Sequence, residues 1–188
     1  MRYRHLLLAL SVTGACEHPA PPRAPTRIAN CGFGPISDSA VAGLPIGATV
    51  ASVKEHCKVL ADTTFPGEEG LPERTLDVQI GLDTLVAVID SDRVWRIEVG
   101  SPRFRTRDSL HVGSQLSALV RDSSAHALIG EGNYYVVMRS HCGLSFALPY
   151  IKLPTPGELS SAALRALPDT LRVQEILVVG CDFADGAT

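Results

Sequence analysis

The chain has 188 residues, a formal net charge of −3, 45% apolar residues and 20% charged ones. That length suits one domain with a real core. The mildly acidic balance excludes general nucleic-acid binding, which needs a strongly basic footprint.

Residues 1–15 (MRYRHLLLALSVTGA) read as an export signal. Arg2, Arg4 and His5 form a basic start, and Leu6 to Val12 form an apolar run too short to cross a bilayer. Small residues then lead to Cys16. This end resembles the bacterial lipobox, whose cysteine is lipidated on sulfur and becomes the first mature residue, although Thr13 stands where leucine is most usual. The resemblance implies a membrane held through a lipid on Cys16. With Glu17 and not aspartate in second place, it also implies the outer membrane, facing the periplasm. Loss of Arg2 and Arg4 with a segment that holds no acid takes the charge from −3 to −5. Residues 16–29 contain four prolines and read as a semi-rigid spacer.

A single α+β domain is expected over 30–182, with a frayed tail at 183–188. It opens on a glycine- and serine-rich loop to Gly43. Two stretches then match, Leu44 to Lys54 (LPIGATVASVK) and Leu110 to Val120 (LHVGSQLSALV). Each places an apolar residue before a glycine, a small or hydroxyl residue after it, and apolar residues three apart. That is a tight turn feeding a short amphipathic helix. In the first copy Thr49 can cap, and Val50, Val53, Cys57 and Leu60 share a helical face. Phe65 to Arg74 reads as a polar loop.

Strands follow. Leu76, Val78, Ile80 and Leu82 alternate with Thr75, Asp77, Gln79 and Gly81, and Thr84 to Ile89 is more uniformly apolar. In Arg93 to Val99, the alternation points Trp95, Ile97 and Val99 inward and Val94 outward. The second copy repeats the outline: a helix over about Ser114 to Arg121, then strands at Ala125–Ile129, Tyr134–Arg139 and Leu144–Leu148. A third helix is expected at Glu158–Leu167 and a last strand at Arg172–Gly180. Short turns favour an antiparallel meander, so the chain reads as two degenerate units, about 44–100 and 110–148, plus a C-terminal helix and strand.

With Cys16 assigned to lipid, Cys31, Cys57, Cys142 and Cys181 remain, and an even count in an exported chain points to two disulfides. Three connectivities are open. Cys31 with Cys57 and Cys142 with Cys181 is preferred, because each pair staples an end of the domain to a nearby element.

No catalytic set converges in the sequence, and no cofactor is implied. Gly143 to Ala147 (GLSFA) brushes against a hydrolase elbow, but Leu148-Pro149-Tyr150 cannot start the helix that elbow needs. His56-Cys57 and His141-Cys142 hold zinc-ligand types, yet adjacent residues diverge too far to chelate well. His111 and His126 show no partner spacing. Gly130 to Tyr135 (GEGNYY) can present two tyrosines on a hairpin tip. The strongest exposed feature is Arg103, Arg105 and Arg107: in an extended segment their side chains share one face, a positive stripe suited to an anionic partner. A solvated sheet edge is the plainer account.

The doubled turn–helix–meander pattern resembles the unit of the SmpA/OmlA lipoproteins and of the beta-lactamase inhibitor protein, which carries two in tandem. Gly47-Ala48-Thr49 keeps their Gly-x-Thr turn, whereas Gly113-Ser114-Gln115 departs from it. Ile97 to Leu148, with its arginines and its HCGLSF, is similar to a type of uncharacterised bacterial lipoprotein. The leading expectation is a non-catalytic envelope lipoprotein that binds a protein or glycan partner, and an enzyme of unrecognised type has the least support. The alternative is an enzyme inhibitor or protective factor.

Overall fold

The computed structural model describes residues 28, 31–32, 34–67, 70–130, 132–150 and 157–181. The export signal, Cys16, most of the spacer and the 183–188 tail lie outside the described residues. Ile28 is 4% exposed and packs in the core, so packed structure reaches into the range read as spacer.

The body is mainly antiparallel sheet. Three two-residue strands, β1 (Ile36–Ser37), β2 (Ala40–Val41) and β3 (Leu44–Pro45), form a small sheet where a plain loop is expected. Helix α1 (Val50–His56) follows. Thr49 caps it by accepting a hydrogen bond from the Ser52 N–H at 3.2 Å. The helix stops earlier than its apolar spacing implies: Cys57 is extended and tied to Cys31, and the chain turns into β4 (Lys58–Pro66). Cys57 and Leu60 therefore do not continue a helical face, and much of the expected loop is strand.

Strands β4, β5 (Pro72–Ile80), β6 (Asp83–Asp90) and β7 (Arg93–Val99) form a four-stranded meander. Leu76, Val78 and Ile80 face the core. In β7 the alternation inverts at its start. Ile89 pairs with Val94 and Val88 with Arg96, which leaves Trp95 as the extra residue of a bulge. Val94 is buried at 1% and Trp95 is only partly buried, the reverse of the simple alternation.

Helix α2 (Leu116–Leu119) is about one turn long, and the chain continues through β8 (His126–Gly130), β9 (Asn133–Met138) and β10 (His141–Leu148). Helix α3 (Ser161–Arg165), shorter than expected, is capped by Ser160. The last strand, β11 (Glu175–Val178), inserts between β7 and β10 and makes one eight-stranded sheet, in the order β4-β5-β6-β7-β11-β10-β9-β8. At the seam Ile176 lies opposite Val99, Leu177 opposite Glu98, and Val178 opposite Ile97.

All three helices contribute to the core on one sheet face through Val50, Val53, Leu116, Leu119 and Leu164. On the opposite face Tyr135, Ala147 and Leu177 form a small separate cluster, and Arg96 pairs with Glu98 at 2.8 Å. No helix among the described residues is long and apolar enough to cross a membrane.

Two sets of backbone bonds fix the helix-entry turns. The Gly47 N–H donates to Val94 O and the Val94 N–H to Ala48 O; the Gly113 N–H donates to Val173 O and the Val173 N–H to Ser114 O. Arg93 donates to Gly47 O at 2.8 Å and Arg172 to Gly113 O at 3.0 Å. Both glycines have positive φ, 82° and 93°, a conformation that side chains disfavour.

Candidate functional site

After β7 the chain turns at Pro102 and Arg103, passes beside the small sheet through residues 104–106, and turns again at Arg107 and Asp108, without joining the large sheet. Phe104 and Thr106 are buried at 1% and 5%, and they alternate with exposed Arg103, Arg105 and Arg107. The Ile36 N–H donates to Arg105 O at 2.8 Å and fastens the segment to the small sheet. The backbone thus holds the three guanidinium groups on the solvent side. Arg103 lies 3.5 Å from Asp83, Arg105 meets His111 Nδ1 at 3.2 Å, and Arg107 has no ion pair among the described residues. Arg93 and Arg96 do not join this stripe, since Arg93 bonds Gly47 and Arg96 pairs with Glu98 two residues along the same strand.

The loop that follows is self-bonded. The Leu110 N–H donates to the Thr106 hydroxyl oxygen at 2.9 Å, and the Thr106 hydroxyl faces Asp108. The His111 N–H donates to Ser114 Oγ at 2.9 Å, and that oxygen lies 3.0 Å from His111 Nδ1. Ser114 is 7% exposed and its oxygen already accepts a bond, so the serine–histidine contact staples a turn and does not present a nucleophile.

Beside this loop opens a cleft of about 640 Å³. Its polar lining includes Ser109, Gln115, Ser117, Arg121, Ser140 and Arg172, over a floor that holds Leu119 and Met138. Two carboxylates also border it, and both are spent on neighbours. Asp122 accepts from the Ser124 N–H at 2.8 Å, from the Ser124 hydroxyl at 2.6 Å and from the Ser140 hydroxyl at 2.6 Å. Those donors stabilise its charge and hold its pKa down to about 2. Burial pushes the Asp108 carboxyl up, but bonds from Thr106 and His141 more than reverse that and leave it below the usual value. The His141 Nε2 reaches Asp108 at 3.0 Å while Nδ1 sits 3.8 Å from Asp38, so His141 pins the loop to the β1–β2 turn.

Sequence-marked candidates fall elsewhere. Cys31 joins Cys57, with Cα atoms 5.1 Å apart, and Cys142 joins Cys181 at 4.9 Å. The two His-Cys pairs are thereby separated into different bridges, and His56 instead meets Ser52 O at 3.0 Å. Asp38 comes within 4.8 Å of the Cys142 and Cys181 sulfurs, but sulfurs bonded to each other are not thiolate ligands. Gly143 to Ala147 lies inside β10, with no strand–turn–helix elbow. Gly130 to Tyr135 does not present its tyrosines: Tyr134 and Tyr135 are buried at 1% and 9%, in keeping with a simple turn. The cleft itself has no sequence signature, because Arg121, Ser140 and Arg172 meet only through sheet order and the turns that flank it.

No family model matches the chain, and no curated protein matches it. Among solved structures it is similar to the crystal structure of the uncharacterized protein YfeY from Escherichia coli. The TM-score is 0.56 at 13% identity, over 78% of this chain and 99% of that one. At that identity the likeness is one of fold.

Proposed function

We propose that the chain is a non-catalytic cell-envelope lipoprotein: lipidated on Cys16, held at the outer membrane facing the periplasm, and binding a protein or glycan partner through Arg103, Arg105 and Arg107. One observation carries the binding half of this reading. Buried Phe104 and Thr106 alternate with the three exposed arginines, on a segment whose backbone is bonded to β1. A solvated edge needs charge but does not need it held in register. Two disulfides suit an oxidising compartment, which supports the address.

Two degenerate units are part of the proposal. The matched bonds at Gly47 and Gly113, and at Arg93 and Arg172, support it. On this reading the second unit would run on from Leu148 to β11, because Arg172-Val173 stands to Gly113 as Arg93-Val94 stands to Gly47. The tandem likeness to the beta-lactamase inhibitor protein keeps the inhibitor alternative in view. It gains less here, because the two hairpin tyrosines are buried.

Intact mass of the protein from isolated membranes, with crosslinking in whole envelopes, tests both halves. The expected mass is a diacylated or triacylated chain starting at Cys16, with no thiol alkylated until reduction. Crosslinks should be lost from the triple variant R103E/R105E/R107E while its melting temperature stays unchanged. A soluble, unlipidated chain overturns the address, and crosslinks indifferent to charge reversal overturn the binding face.

A further inference from the structure

We infer that the cleft beside α2 is a binding site for an acidic saccharide, a sugar bearing phosphate or carboxylate. The inference deepens the glycan reading proposed for the neighbouring arginine face, on which it rests, but it stands on different residues. About 640 Å³ falls in the range of about 300–1,000 Å³ typical of small-molecule sites. The lining is mixed: hydroxyl, amide and charged side chains stand over apolar surface from Leu110, Ala118, Leu119 and Met138, which suits a sugar ring with polar edges and an apolar face.

The polarity of the charged groups sets the ligand's sign. Asp108 and Asp122 stay ionised, but both oxygens of each already accept bonds from Thr106, His141, Ser124 and Ser140, so the arginines are the charged groups with bonding capacity to spare. The arginines are in the opposite condition. Arg172 donates only to a neutral carbonyl, that of Gly113, and Arg121 has no hydrogen bond or ion pair among the described residues. A guanidinium fork matches a carboxylate or phosphate in a plane, and two of them lining one cleft make an anion the complementary occupant.

The remaining groups match a polyol. The side chains of Gln115 and Ser117 line the same cleft and make no hydrogen bond among the described residues. They supply donors and acceptors in the same cleft as the arginines. An inorganic anion alone would leave them unused.

The test is a titration of the full-length, isotope-labelled chain in detergent micelles, followed by amide resonances. The probes are glucose 1-phosphate, glucuronate, inorganic phosphate and glucose. The acidic sugars should shift Gln115, Ser117 and Ser140 with affinity on the order of millimolar, as befits a single sugar in an open site. Inorganic phosphate should bind more weakly and glucose not at all. Arg121→Gln should weaken the acidic sugars about tenfold, the effect of one charge-assisted hydrogen bond. Arg172→Gln should do the same. Arg121 is exposed and makes no bond among the described residues, so its variant keeps the test decisive even where loss of Arg172 disturbs the Gly113 turn. Three results overturn the inference: shifts that survive Arg121→Gln, glucose or phosphate binding as well as the acidic sugars, or no shift at all. In R103E/R107E the titration should be unchanged. A lost partner face with an intact cleft is therefore separable from an empty cleft.

Discussion

The two halves of the large sheet each set a short helix before a run of antiparallel strands, and they differ in regularity. In the first, a seven-residue capped helix precedes strands of seven to nine residues joined by short turns. In the second, a four-residue helix without a side-chain cap precedes strands of four to eight residues. A long connection carrying α3 separates its last two strands. That connection returns over the outer edge, where the N–H groups of Ala127 and Leu159 each donate to the other's carbonyl at 2.8 Å. The first half leaves the β4 edge unpaired among the described residues. It guards that edge with Lys58, a bulge after Val59 and Pro66. The cleft opens beside the shortened helix, not beside the regular one. The opening thus falls where the pattern is least regular.

The comparison breaks most readily at the seam, where neither half has another partner for its last strand. Ile176→Ala, at a fully buried position opposite Val99, should cost about 3–4 kcal/mol. Urea unfolding followed by Trp95 fluorescence, which reports the first half, should shift together with far-ultraviolet circular dichroism. Separate transitions would show that the halves are independent domains. Next come the staples. Cys57→Ser opens a bridge spanning 26 residues in the first half and Cys181→Ser one spanning 39 in the second, each at about 3 kcal/mol. The longer loop should cost about 0.4 kcal/mol more, read from denaturation midpoints. Third are the helix starts. Thr49→Ala should lose about 1 kcal/mol of cap, whereas Gln115→Ala, which removes no cap bond, should change stability by less than about 0.5 kcal/mol. Equal losses at the two positions would contradict the difference assigned to the helices.

Much of the first half is legible in sequence because period and turn chemistry agree there. Leu76, Val78 and Ile80 alternate as they pack, and both turn glycines adopt the positive φ that their place before a helix requires. The reading fails where one long-range constraint overrides a local pattern. Leu60 continues the helical spacing of Val50, Val53 and Cys57, but the bridge to Cys31 and the pairing with β5 pull the chain into strand after His56. One inserted residue at Trp95 inverts the inward face of β7. Strands of two residues, such as β1 to β3, have no period to read at all. The arginine stripe was visible because its alternation is local; the cleft was not, because Arg121, Ser140 and Arg172 are brought together by a strand inserted out of order.

Acid separates the halves by a smaller effect, and by mechanism. In the first, Asp62 faces Lys54 at 2.7 Å and Arg74 at 2.8 Å, and Arg74, then Lys54, hold its carboxyl well below the usual range. In the second, Asp122 is held at about 2 by hydroxyls and a backbone N–H with no cation in contact. Both folded values lie below the unfolded value of about 3.9, so both contributions are present above that pH and fade as pH falls through the folded pKa. Solvent screening limits each to on the order of 1 kcal/mol or less. Salt tells them apart, because ion pairs at the surface are screened and hydroxyl bonds are not. Stability measured between pH 5 and 2, in low and in roughly 1 M salt, should therefore lose its salt-dependent part in Asp62→Asn and its salt-independent part in Asp122→Asn. If Asp122→Asn removed the salt dependence instead, the second carboxylate would be answering to the arginines of the cleft, and the serines would not be what satisfies it.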